Sequence, residues 1–262
     1  MRRASVHTLA LIAGLAAWHG PAAAQTPPAP DSPQTQPPQK PYKAVPVSFA
    51  SAPRDAELDA LRKELGEIAA RKDRAALAVR IGKDFFWERD FGGNFDQNKP
   101  NIDNITAAIG LDADDGSGWE ALAGFAAEPS MGPLPGRASV VCAPASPEFD
   151  EAARNQVIDD SQTDGVEWAY PRAAGLQVRA APQADAAPIE TLGLHFVHVL
   201  GFEGKQTDAD PIRFAWARVA TPTGKTGFVA PNSLVSPYAD RLCFTKDAGG
   251  TWRIDGYVGG GD

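Results

Sequence analysis

The residues of this 262-residue chain whose types and spacing could do chemistry are few. His195 and His198 stand three apart in Leu-His-Phe-Val-His-Val-Leu. On a helix that spacing could hold a metal, but this β-branched, apolar run reads as a strand, which turns residues three apart to opposite faces. A structural or surface role is therefore expected, and no metal site. Asp84, Glu88, Asp90 and Asp96 lie among Phe85, Phe86, Trp87, Phe91 and Phe95. Two such carboxyls about 5–10 Å apart across a sugar cleft could serve as glycosidase acid and base. Asp90-Phe91-Gly92 matches the kinase metal triplet in letters only, since no phosphate loop, catalytic loop or paired lysine accompanies it. Asp112-Ala113-Asp114-Asp115 opens like a calcium loop, but Gly116 stands where an acid or Asn is needed, and Ala123 at the bidentate Glu position. Gly224-Lys225-Thr226 has the end of a phosphate loop, yet Val219 occupies the first glycine position and a strand follows instead of a helix. Neither half offers a Cys–His pair, a zinc triad or Gly-x-Ser-x-Gly. No catalytic residue, metal ligand or cofactor is assigned.

The leader fixes the expected compartment. Arg2 and Arg3 precede the apolar run Leu9–Trp18, Pro21 breaks it, and Ala22-Ala23-Ala24 supplies small residues before Gln25. Residues 1–24 thus read as a secretory signal peptide, too short in its apolar part to span a hydrocarbon core of about 30 Å. No other segment reads as transmembrane, so the mature protein is expected to be exported, with the periplasm as the expected location. In that setting the two cysteines, Cys142 and Cys243, are expected to form a disulfide, the only pairing available. The net charge of −8 becomes more negative once Arg2 and Arg3 leave, which argues against broad nucleic-acid binding.

The elements that must position these residues change along the chain. Residues 25–50 form a proline-rich linker, in which Pro27, Pro28, Pro30, Pro33, Pro37, Pro38, Pro41 and Pro46 favour an extended spacer or a proline-rich ligand for another domain. Residues 51–145 read as mainly helical. Leu58, Leu61, Leu65 and Ile68 make one stripe of a helix over 54–81. Residues 84–100 read as an aromatic-rich loop. A helix capped by Asn101 runs to Ile109, and Ser117 with Glu120 forms a capping box for a helix to about Ala127. The C-terminal stretch 239–258 reads as a hairpin turning at Gly249-Gly250 that joins the helical part through Cys243. Between them, residues 166–238 alternate in short runs with turns, an all-β pattern. The fold class expected is α+β: a helical N-terminal segment, a small all-β barrel and a C-terminal hairpin.

Two stretches of this β region carry a resemblance. Leu176-Gln177-Val178-Arg179, followed by the Pro182 turn and Ile189 to Leu192, is similar to the opening of bacterial SH3 (SH3b) domains. Trp216-Ala217-Arg218-Val219, the Gly224-Lys225-Thr226-Gly227 hairpin, Phe228-Val229 and the turn to Leu234 resemble the remainder. Gln177 stands where Asn is usual, Phe228 where Trp is common, and the stretch Phe202–Phe214 is longer than a minimal hairpin. Val178, Ile189, Leu192, Phe196, Val199, Trp216, Val219, Phe228 and Val229 would fill a small barrel. The resemblance implies a non-catalytic targeting module, binding peptidoglycan or an envelope protein. Trp168, Tyr170, Trp216, Phe228 and Tyr238 are the candidate ligand-binding aromatics, with core packing as the competing role for Trp216 and Phe228. The alternatives are a periplasmic inhibitor or chaperone-like protein acting through the helical half, and a carbohydrate-active hydrolase using the paired carboxylates.

Overall fold

A computed structural model describes residues 39–50, 55–88, 95–204 and 216–259. Residues 1–24, expected to be a signal peptide, residues 25–38 of the linker, Asp90-Phe91-Gly92 and residues 205–215 of the acidic excursion lie outside the described residues. In chain order the elements are β1 (Ser48–Phe49), α1 (Ala56–Arg71), α2 (Arg74–Ala78), β2 (Ile81–Glu88), α3 (Asn101–Ile109), α4 (Ser117–Ala127), β3 (Gly132–Leu134), β4 (Arg137–Ala143), β5 (Pro147–Glu148) and α5 (Glu151–Ser161). Then come β6 (Trp168–Pro171), β7 (Leu176–Arg179), β8 (Pro188–Leu192), β9 (Val197–Glu203), β10 (Trp216–Ala220), β11 (Thr226–Val229), β12 (Leu234–Val235), β13 (Arg241–Lys246) and β14 (Trp252–Val258). The protein is mixed α+β.

The apolar stripe builds the first core. Asp55 caps α1 by accepting from the N–H groups of Glu57 and Leu58, and Lys72 ends it in the left-handed conformation at φ 53°. Leu58, Leu61, Leu65 and Ile68 are buried against a five-stranded sheet in the order β2-β14-β13-β4-β3. Phe85 and Trp87 of β2, Ile254 and Tyr257 of β14, Leu242 and Phe244 of β13, and Val141 of β4 face the helices. The opposite face carries Cys142 and Cys243, directly opposed in the β4–β13 ladder and joined as a disulfide.

Three local expectations are corrected here. The stretch expected as loop from Asp84 begins inside β2, which pairs in parallel with β14. Asn101 is not the cap of α3; Pro100 holds that position, and the Asn101 side chain instead donates to the carbonyls of Gly82 and Lys83. The capping box at Ser117 does not form: Gly116 precedes α4 in the left-handed region, and Asp115 accepts from the Ser117 N–H.

The second sheet runs β12-β6-β9-β10-β11-β7-β8, with every pairing antiparallel. Among the described residues its two ends do not join into a closed barrel. Val178, Leu192, Val197, Ala217, Val219 and Val229 form its core. Phe196 belongs to a neighbouring cluster, and Trp216 and Phe228 are not among the buried core residues. The reason is register: Arg218 faces Phe228 across the β10–β11 pair, so both point away from Ala217, Val219 and Val229, and Trp216 shares their side.

The linker is not a spacer over its whole length. Residues 39–49 form a strap across the second sheet. The N–H groups of Gln39 and Tyr42 donate to the carbonyls of Gly224 and Pro222, Phe196 donates to Val45, and Val47 donates to Leu194. Pro46 bridges His195, and β1 pairs with β5. Val45 and Val47 are buried. An extended proline-rich chain lacks internal hydrogen bonds, so its groups remain free for this cross-chain pairing.

Candidate functional site

The five candidate aromatics fall in three places. Trp168 and Tyr170, two apart on β6, share one face, and each is only 1% exposed. The strap covers that face: Tyr42 meets Trp168 edge-on at 5.0 Å, and Phe49 meets Tyr170 at 5.7 Å. Phe196 packs edge-on against Tyr170 at 5.8 Å, while His198 stacks on Trp168 at 5.2 Å. The Trp168 indole N–H donates to Thr163 at 2.8 Å. The ring faces of these two aromatics are therefore covered while the strap is seated. Trp216 and Phe228 are half-buried on the outer side of β10 and β11. Tyr238 stands apart, partly exposed, its hydroxyl 3.2 Å from the Arg154 guanidinium. Arg154, itself buried, lies over the rings of Phe149, Phe196 and Tyr238.

Behind Trp168 lies a groove of about 410 Å³ lined by Val166, Val199, Phe202, Pro231 and Leu234. Val166 and Phe202 are exposed. Phe202 was not singled out by sequence: it stands opposite Ala217, on the core side of β9, where alternation predicts burial.

The lysine of Gly224-Lys225-Thr226 does not face a phosphate site. Thr221 and Lys225 close a hairpin turn with Gly224 at φ 82°, and Lys225 Nζ donates to the Ile189 carbonyl at 3.0 Å. The strap packs directly on Gly224, where a side chain would strike Gln39 and Pro41. His198 Nε2 lies 3.1 Å from Glu167, whereas His195 Nε2 is buried without a hydrogen-bond partner. Among the described residues no group of three or more metal-ligating side chains occurs. The acidic turn at Asp112 and Asp115 is engaged by Arg74 at 3.5 Å and by the start of α4.

The carboxylates of the aromatic stretch are dispersed. Glu88 pairs with Arg137, and Asp96 pairs with Lys99 at 3.8 Å and accepts from Asn98. Asp84 lines a cleft of about 580 Å³ on the helix-free side of the five-stranded sheet, together with Phe86, Arg137, Thr245, Trp252 and Asp255. There it meets a carboxylate that sequence reasoning missed. Asp255 accepts from Thr245 at 2.8 Å, and burial, reinforced by the charge of Asp84, raises its pKa above the ordinary value. Gly82 leaves room for the Asp255 carboxylate, and Gly256 for the Phe86 ring. The alternating β14 pattern contains Asp255, but nothing nearby in sequence marks Asp84 as its neighbour.

The two halves meet at Glu128, which is buried at the end of α4. Its carboxylate pairs with Arg172 and accepts from Ser130 at 2.7 Å, while its carbonyl accepts from Arg62. Among the described residues no helix is long and apolar enough to cross a membrane. No family model, curated protein or solved structure matches the chain.

Proposed function

We propose that this chain is a non-catalytic, exported envelope protein whose residues 166–238 form an SH3b-like binding module for peptidoglycan or an envelope protein. One observation carries the reading. The β7–β8 and β10–β11 hairpins, which hold both matching motifs, pair with each other through β11 and β7 around a single core of small apolar residues. The first and last strands of the region, β6 and β12, also pair, which brings the module's ends together. The disulfide fits an oxidising compartment. The test is co-sedimentation of the purified, oxidised protein with insoluble peptidoglycan over a salt series. Salt-resistant binding that Trp216→Ala or Phe228→Ala weakens supports wall targeting. Absence of binding removes peptidoglycan and directs the search to protein partners by crosslinking.

A second reading has its own observation, the cleft that places Asp84 beside Asp255 with its raised pKa. It would make the protein a carbohydrate-active hydrolase. Release of soluble sugar fragments that is lost in both Asp84→Asn and Asp255→Asn would favour it over the binding module. The interaction-protein alternative gains no comparable support. Among the described residues the helical half exposes only Val79 as a large apolar side chain, less than a docking patch needs.

A further inference from the structure

His195 occupies an unusual place in the strap interface. It lies directly opposite Pro46, between the two backbone hydrogen bonds that join Val45 to Phe196 and Val47 to Leu194. Its Nε2 is buried with no hydrogen-bond partner. The strap residues on either side of Pro46, Val45 and Val47, cover the cluster of Trp168, Tyr170 and Phe196. We propose that residues 39–49 are an acid-sensitive cover over this aromatic cluster, with His195 coupling proton uptake to release of the strap.

Solvation of the imidazole couples the two events. A neutral imidazole tolerates a buried, unpartnered nitrogen at modest cost, whereas an imidazolium requires water or an acceptor at both nitrogens. The ionisable groups around His195 do not supply one. Glu190 of β8 acts on it through its charge, which favours the imidazolium, but burial outweighs this and holds the His195 pKa below the ordinary value. That carboxylate is already engaged by Thr221 and Thr223. From the strap, Tyr42 presents a phenol whose own pKa burial raises far above neutrality, and Lys43 adds only positive charge. From β5, Glu148 is opposite Ser48. His198 is held by Glu167 on the far side of Trp168. Lifting the strap gives His195 water, so the lifted state binds the proton more tightly than the seated one.

The sign follows from linkage. The seated state has the lower pKa, so seating is complete above the released value near 6.5 and weakens as the pH falls below it. One proton sets a limit of about tenfold per pH unit, or about thirtyfold in opening constant between pH 7.5 and pH 5. Release bares Trp168 and Tyr170. That they would then meet a ligand rests on the binding reading above, whereas the release itself requires no ligand.

Amide hydrogen exchange on the full chain with its disulfide intact tests the release, using Tyr42, Val47 and Phe196 as probes. After correction for intrinsic exchange, their opening constants should rise between pH 7.5 and pH 5, up to about thirtyfold. Amides of the β4–β13 ladder should not follow. The His195→Gln variant should lose the rise and His198→Gln should keep it. Should His195→Gln not fold, NMR titration of the wild-type His195 ring replaces it, with an apparent pKa below 6.5 expected. Equal opening constants at the two pH values, a rise that survives His195→Gln, or a ring pKa at or above the ordinary value overturns the proposal. Peptidoglycan sedimentation at both pH values is a separate readout: strap release without wall binding would sink the binding reading and leave the cover intact.

Discussion

The contact between Glu128 and Arg172 makes an asymmetric prediction. The Glu128 side chain is 5% exposed and that of Arg172 35%. Removing the arginine with Arg172→Met strands a carboxylate that water scarcely reaches. Stranding one member of a fully buried pair costs about 3–5 kcal/mol. Here Ser130 still donates two bonds to the carboxylate, through N–H and hydroxyl, and the pair is open to water on one side. The expected loss is therefore about 2–4 kcal/mol. The reverse change, Glu128→Gln, keeps an acceptor for Ser130 and leaves a guanidinium that solvent and the Asn232 carbonyl can satisfy. Its expected loss is smaller, about 1–2 kcal/mol. Denaturant unfolding of both single variants and the double variant measures the difference, and the double-mutant cycle isolates the coupling. An Arg172→Met cost equal to or below that of Glu128→Gln, at unchanged m-value, would show that Glu128 is not buried behind the arginine in solution.

The remaining predictions concern the five-stranded sheet. Replacing both cysteines with serine should cost about 2–5 kcal/mol, because the bridge closes a long loop. As both cysteines are fully buried, a thiol count in native buffer with reductant should stay at zero until denaturant is added. Asp255→Asn should raise Tm at pH 7. The raised carboxyl pKa means the folded state favours the protonated form, so wild-type stability recovers as the pH falls and the gap should close. A gap that widens in acid counts against this. Gly256→Ala should cost about 1–3 kcal/mol by driving the Phe86 ring off the sheet, and an unchanged unfolding midpoint would show that the ring does not rest there.

What could be read from the sequence was what local pattern controls. The Leu58, Leu61, Leu65 and Ile68 stripe needs only helical spacing to declare its buried face. The strands Arg241–Lys246 and Trp252–Val258 follow from alternation about a Gly-Gly turn. The cysteine pair follows from there being just two cysteines, and the structure joins them. Where pattern failed, a distant partner decided the outcome. β2 was hidden because its ladder with β14 is interrupted between Ile81 and Phe86, which breaks the period of two. α5 was missed because its buried residues are only Val157 and the charged Arg154, amid polar neighbours. The strap was missed because two valines among prolines give no period, and their partners lie about 150 residues away.

The aromatic site shows why this limit is physical. A binding groove and a core both call for large rings at alternate strand positions, and Trp168 and Tyr170 satisfy either demand. Composition cannot separate the two, because the deciding quantity is what lies on top of the rings. Here that is Tyr42, Val45, Val47 and Phe49, from a tract whose composition predicts an unpacked chain. Trp216 and Phe228 went the other way: register with Arg218, not residue type, turned them outward. With the strap seated, Trp216, Arg218 and Phe228 share one outer side of β10 and β11, while the Trp168 and Tyr170 rings lie under the strap. Binding lost in Phe228→Ala at pH 7.5 would identify the first face. Binding that appears only in acid and disappears in Trp168→Ala would identify the second.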